Sequence, residues 1–191
     1  MKRLFVLLAV FTMLLMTVPA SAGWVGEASY FNYTFELRPE YPGSFSESAS
    51  QFGTYYLGYD TGGNWEWGLS YMEWTKELEP APGYTEKLTL YPTIVYITYK
   101  FISTKSRDWE PMIGIGYGSV RTVFSGKYTG LYPWSYHESH RYDVFSFFIG
   151  TRYYFQQNWG VTLKYMRYEV YPQHGLVLGS GFNFGVVYRF K

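Results

Sequence analysis

The chain has 191 residues, 16 Lys and Arg against 15 Asp and Glu, and no Cys. So even a balance provides no basic stripe for phosphates and argues against a nucleic-acid partner; the lack of Cys excludes disulfides, thiolate chemistry and a cysteine-borne lipid anchor. Tyr, Phe and Trp make up 23% of the chain beside 20 glycines, and no segment keeps a helical apolar period, a composition that points to strands with both lipid and water beside them.

The first element in chain order is a targeting segment. Lys2 and Arg3 precede an apolar run from Leu4 to Val18, then Pro19 and Ala20-Ser21-Ala22. A basic start, an apolar stretch and a small-residue cleavage site make residues 1–22 a cleaved secretory signal peptide and 23–191 one exported domain. The run falls short of the ~20 apolar residues that a spanning helix requires.

Period-2 alternation then begins. In the first strand Phe31, Tyr33, Phe35 and Leu37 form the apolar, outward face, with Tyr30, Asn32, Thr34 and Glu36 opposite; Trp24 to Ser29 break that parity, so a bulge is expected there and the register of Trp24 is left undetermined. The second strand points Tyr55, Leu57 and Tyr59 outward and ends in a glycine-bearing turn, Asp60 to Asn64. The third sets Trp65, Trp67, Leu69 and Tyr71 against Glu66, Gly68 and Ser70. The fourth, from about Leu88 to Phe101, sets Val95, Ile97, Tyr99 and Phe101 against Thr98 and Lys100. The fifth shows Trp109, Ile113, Ile115 and Tyr117 outward over a ladder of Gly114, Gly116 and Gly118, which makes room for bulky groups across the interior. The sixth sends Phe145, Phe147, Ile149, Tyr153 and Phe155 outward and Ser146, Gly150 and Arg152 inward. The seventh sends Trp159, Val161, Leu163 and Tyr165 outward and Thr162 and Lys164 inward; the eighth sends Phe182, Phe184, Val186, Tyr188 and Phe190 outward and Asn183, Gly185 and Arg189 inward.

The pattern is an all-β, eight-stranded, antiparallel up-and-down transmembrane barrel whose closure removes unpaired edges that hydrocarbon does not tolerate. Trp24, Trp65, Trp109 and Trp159 are its lower-rim interfacial anchors. Connections after even strands are short periplasmic turns, and those after odd strands, Arg38 to Ser50, Lys76 to Lys87 and Ser125 to Arg141, are expected to be long extracellular loops. A soluble lipocalin-like barrel is the rival fold, opposed by the rim tryptophans and by more outward rings than one cavity could use.

Two stretches carry a family resemblance. Phe147 to Phe155, with Gly150-Thr151-Arg152-Tyr153-Tyr154-Phe155, followed by a polar turn and Asn158-Trp159-Gly160, and Pro111 to Gly118 with its repeated glycines, are similar to segments of the OmpA/OmpX/OmpW-like porin-family group of small bacterial outer-membrane barrels. The end of the chain, with Gly185, Tyr188 and Phe190, resembles the signal read by the barrel-assembly machinery. The resemblance implies a cell with an outer membrane; outer-membrane lipid and lipopolysaccharide are the expected surroundings, and a monomer without cofactor or metal is the expected form.

Function must then come from the interior and the loops. Glu36, Glu66, Lys100, Arg152, Lys164 and Arg189, with Tyr56, Tyr96 and Tyr154, are read as inward; in so narrow a tube opposite charges should pair, giving a filled lumen rather than a narrow pore for small solutes, the alternative. Trp134, Tyr136, His137, His140 and His174 fall in expected loops and are candidates for surface binding, the three His with Glu138 also for a metal or proton-responsive site. His137-Glu138-Ser139 raises a second alternative, a lipid A-modifying hydrolase, because a base two residues from a nucleophile shares its face on a strand. The favoured reading is non-enzymatic: a structural or surface-interaction barrel with an extracellular ligand still to be identified.

Overall fold

The computed structural model describes residues 22–39, 45–81, 84–101, 108–129, 134–171 and 175–190, with backbone path alone at 35–39, 45–52, 78–81, 86 and 175–177. The residues expected to form the signal peptide lie outside it, except Ala22.

Nine antiparallel segments form one closed sheet: β1 (Gly23–Pro39), β2 (Phe45–Asp60), β3 (Trp65–Met72), β4 (Trp74–Ala81), β5 (Tyr84–Lys100), β6 (Trp109–Tyr128), β7 (Trp134–Tyr154), β8 (Trp159–Val170) and β9 (Gly175–Phe190). Both β3 and β4 pair with β5, Trp65 to Tyr99 at one end and Trp74 to Leu90 above. They are two parts of one stave broken at Glu73, so the barrel has the eight staves that alternation implied. β1 and β9 close it, paired from Trp24↔Phe190 to Pro39↔Gly175.

The outer wall is apolar. Leu57, Val95, Ile115, Ile149, Phe182 and Phe184 are each at least half exposed, a continuous band far beyond what a soluble monomer shows water. Trp24, Trp65, Trp109 and Trp159 end that band at one rim, and each faces a tyrosine directly across the ladder: Trp24↔Tyr59, Trp65↔Tyr99, Trp109↔Tyr153 and Trp159↔Tyr188. Ring centroids in these pairs are 4.7 to 6.1 Å apart and steeply inclined, the edge-to-face arrangement that aromatic quadrupoles favour. Tyr71, Tyr91, Tyr117 and Phe145 mark the upper limit. From Trp109 to Tyr117 a tilted strand climbs about 20 Å, close to the apolar height of outer-membrane barrels.

Two expectations need correction. Phe31 and Tyr33 do not face lipid; both are fully buried in the lumen, on the same face as Val25, Glu27 and Ser29, while Tyr30 is exposed. Parity never breaks along this part of β1. The lumen itself changes from polar below to aromatic above, so the hydrophobic pattern inverts while the geometry continues. The register shift expected in β1 lies instead on β2, where Ser29↔Thr54 is followed by Tyr30↔Phe52 and Gly53, at φ 144°, is the extra residue.

The expected extracellular loops are the second correction. β6 and β7 pair without interruption from Trp109↔Tyr153 to Tyr128↔Trp134, and β1, β2, β4 and β5 likewise run well into the segments read as loops. Above the lipid band the connections are extended hairpins, because continuing the ladder satisfies backbone polar groups that a long irregular loop would leave to solvent. Two of the lower turns are short, residues 61–64 and 155–158; in the first Thr61 N donates to Trp65 O, and Asp60 Oδ1 accepts from Gly62 N.

Candidate functional site

The lumen is built around Arg152 on β7. Its Nε donates to Glu27 Oε1 at 2.6 Å, and its Nη1 and Nη2 donate to Glu66 Oε2 and Oε1 at 2.6 and 2.8 Å. Glu27 is on β1 and Glu66 on β3, so one guanidinium braces staves on both sides of the barrel. Lys164 from β8 donates to the other Glu27 oxygen at 2.5 Å, and Tyr56 donates to Glu66 Oε1 at 2.7 Å. Toward the lower rim, Lys100 pairs with Asp60 at 2.5 Å and Arg189 with Glu110 at 2.5 Å.

Among the described residues, four carboxylates (Glu27, Asp60, Glu66, Glu110) therefore meet four cations (Lys100, Arg152, Lys164, Arg189). Rings complete the desolvation. Lys164 Nζ sits 4.6 Å from the Tyr56 centroid and 5.0 Å from that of Phe148, and the Arg189 guanidinium carbon is 4.1 Å from Tyr154.

Glycines make this packing fit. Gly58 and Gly68 face each other across β2 and β3, and a Cβ on either would run into Tyr56. In the ladder on β6, a Cβ at Gly114 would strike Phe148 and one at Gly116 would strike Tyr96, which accounts for that repeat. Above the ionic layer, Tyr33 donates to Asn183 and lies 3.4 Å from the Tyr168 hydroxyl, and Tyr96 donates to Ser146 at 2.7 Å. Phe31, Met72, Trp74, Ile94 and Val144 pack with these groups, while Met112 lies lower, paired with Lys100 across β5 and β6.

Five of the six lumen charges read from sequence thus come together. The side chain of the sixth, Glu36, lies outside the described ones. Sequence reasoning missed Glu27, Asp60 and Glu110. Glu27 was hidden by the inverted pattern of β1, and Asp60 by its place at a turn. Glu110 was legible, since Trp109-Glu110 repeats Trp65-Glu66, with the ring outward and the carboxylate inward in both. At the closing seam, Tyr188 stacks edge-on between Trp159 and Phe190, and a Cβ on Gly185 would strike Ala28 and Ser29 of β1.

The surface candidates are strand residues, contrary to the loop expectation. Trp134 and Tyr136 lie on β7, 5.8 Å apart between ring centroids, with Tyr84 5.5 Å and Tyr128 6.4 Å from Trp134. Alternation parts the histidines: His137 and Ser139 share the outer face, while His140 shares the axis-facing side with Glu138, 3.6 Å away. His174 lies outside the described residues. Ser139 Oγ accepts from Arg121 Nε at 3.1 Å, so among the described residues it is bonded to a guanidinium and not to an imidazole.

The outer membrane protein beta-barrel domain matches residues 4–190. The chain belongs to that family. It is an outer-membrane barrel, and the family consists mostly of barrels without catalytic activity. Among solved structures it is similar to Ail, the attachment invasion locus protein of Yersinia pestis, at 11% identity and TM-score 0.58, covering 88% of this chain and 99% of that one. It is similar to Neisserial surface protein A at 15% identity and TM-score 0.57, with the same two coverages of 88% and 99%. OprG of Pseudomonas aeruginosa follows at 10% identity and TM-score 0.52, covering 89% of this chain and 97% of that one. At such identities the likeness concerns fold alone. No curated protein matches the chain.

Proposed function

We propose that this barrel is a non-enzymatic surface-interaction protein that presents its protruding sheet to an extracellular partner. The observation that carries the reading is the upper half of the molecule. β6 and β7 stay paired for eleven residues beyond Tyr117, a rise of roughly 28 Å above the lipid band. On the axis-facing side of that sheet Tyr84, Tyr128, Trp134 and Tyr136 gather, with Trp134 about half exposed; Tyr and Trp in such clusters are favoured contact residues.

The cross-braced lumen supports this over a conducting pore, and the partner of Ser139 supports it over a hydrolase. The test is adhesion of cells displaying the barrel to a panel of immobilised extracellular proteins and glycans. Wild-type cells should bind a member that W134A/Y136A cells release, with surface level and heat-modified gel mobility equal in both. Adhesion indistinguishable from cells lacking the barrel across the panel refutes the reading.

A further inference from the structure

On the outer wall, just above the lipid band, a cavity of about 440 Å³ is lined by Tyr71, Tyr91, Thr93, Ser119, Arg121, Val123, His137 and Arg141. Arg121 and Arg141 are direct cross-strand partners. Like charges at such a position, about 5 Å apart at Cβ, repel each other. Among the described residues neither guanidinium has a carboxylate partner; Arg121 spends only its Nε on Ser139. The nearest outward carboxylate on the strand, Asp143, is engaged with the Tyr117 hydroxyl below. Elsewhere on the outer wall the arrangement differs: Arg167 is ion-paired with Glu169 at 3.1 Å. The stacked rings of Tyr71 and Tyr91, 6.5 Å apart, belong to the upper girdle and border the cavity, Tyr91 directly across the ladder from Arg121.

Height decides what meets this pair. Arg121 stands four residues above Tyr117 on β6, about 10 Å higher along the barrel axis. That is the headgroup layer of the leaflet in which the girdle tyrosines anchor. An outward guanidinium pair at that level, with an imidazole beside it, faces lipid phosphate, and two forks can hold one phosphate through several charge-assisted hydrogen bonds.

We propose that Arg121, Arg141 and His137 form a binding site for a phosphate group on the headgroup of an outer-leaflet lipid, lipid A phosphate being the occupant. The site lies on the opposite face of the sheet from the aromatic cluster and does not depend on it. The anion relieves the repulsion between the arginines, and the Tyr71–Tyr91 ledge lies where the sugar to which that phosphate is attached would rest.

The test uses the barrel refolded into phosphatidylcholine nanodiscs holding a fixed fraction of bisphosphorylated lipid A, with retained lipid counted by native mass spectrometry. Wild type should retain lipid A with an affinity about tenfold above that of R121Q/R141Q, as expected for loss of charge-assisted contacts. D143N should tighten retention, and R167Q should leave it unchanged. Should R121Q/R141Q lose the folded gel mobility, T93D, which sets a carboxylate into the same cavity, must give the same loss. Lipid A stripped of its phosphates should bind wild type no better than it binds the double variant. Equal retention by wild type and R121Q/R141Q, or equal retention of phosphorylated and stripped lipid A, overturns the proposal. Saturable binding of inorganic phosphate to lipid A-free discs at the same affinity also overturns it, in favour of a free-anion site.

Discussion

Arg152 and Glu66, neither with any exposed surface, meet through two parallel hydrogen bonds of 2.6 and 2.8 Å across the barrel. Two ions removed this fully from water carry a desolvation penalty that their attraction offsets only when every donor and acceptor is used. Here that condition is nearly met. The third guanidinium edge holds Glu27, the Glu66 oxygen shared with Nη2 also accepts from Tyr56, and Lys164 occupies the far Glu27 oxygen. The arrangement specifies which staves face one another, and so helps set the register in which the sheet closes.

Removing one member should therefore be severe. R152A leaves Glu27 with Lys164 alone and Glu66 without a cation, and the expected loss is about 3–5 kcal/mol. Equilibrium urea unfolding in lipid vesicles, followed by tryptophan emission, measures it. R152M/E66L, which removes the charge and its counter-charge together, should lose less than R152A; a larger loss would show that packing around Arg152, and not the stranded carboxylate, dominates.

How much of this was legible depended on whether the two faces of a strand differed in polarity. Along β3, β6, β7, β8 and β9 the outward face is apolar and the inward one is mostly glycine, polar or charged, with buried exceptions such as Met72, Met112, Phe148 and Val187, so periodicity and fold coincide. β1 is different. Below Ser29 its inward residue is Glu27, and above it Phe31 and Tyr33 are inward and buried while Asn32 faces out. No alternation rule finds that reversal, because the rule assumes a lumen of one polarity from end to end. The bulge at Gly53 and the break at Glu73 were hidden for another reason: both belong to pairing between strands, which one strand's pattern does not contain. The outer-wall cavity escaped in the same way, since Arg121 and Arg141 become neighbours only through the β6–β7 register.

Gly114 offers a test of the packing. A Cβ there would strike the Phe148 ring, so G114V should destabilise the barrel by about 1–3 kcal/mol through overpacking. Shortening the obstacle should restore part of it. In a double-mutant cycle, G114V/F148A is expected to be more stable than the sum of the single effects; strict additivity would show that the two side chains do not share the space.

The rim tryptophans make a spectroscopic prediction. Trp24, Trp65, Trp109 and Trp159 each stand against a lipid-facing tyrosine at one rim, whereas Trp134 projects beyond the opposite side of the band. In single-tryptophan variants, lipid brominated near the headgroup should quench the four rim residues strongly and aqueous acrylamide only weakly. Trp134 should show the reverse order. Removing one rim ring, as in W109A, forfeits an edge-to-face pair and its burial in lipid, an expected loss of about 0.5–1.5 kcal/mol for the ring pair itself.

The last prediction concerns conduction. An ion entering from the lower rim first meets Lys100–Asp60 and Arg189–Glu110, then the Arg152 brace, and above it the apolar side chains of Phe31, Met72 and Ile94, packed together with the hydrogen-bonded Tyr33, Tyr168 and Asn183. The two barriers differ in kind: in the ionic layer the charges are already paired with one another, and the side chains of Phe31, Met72 and Ile94 offer no polar atoms to replace lost hydration. Opening one should not open the other. Planar bilayers holding wild type, R152A/E66A, or F31A/I94A should therefore show no sustained conductance steps. Removal of both layers in the quadruple variant should produce them, provided its folded gel mobility is kept. Steady conductance from wild type would mean that these side chains move aside together, and the braced lumen would then be a gate rather than a wall.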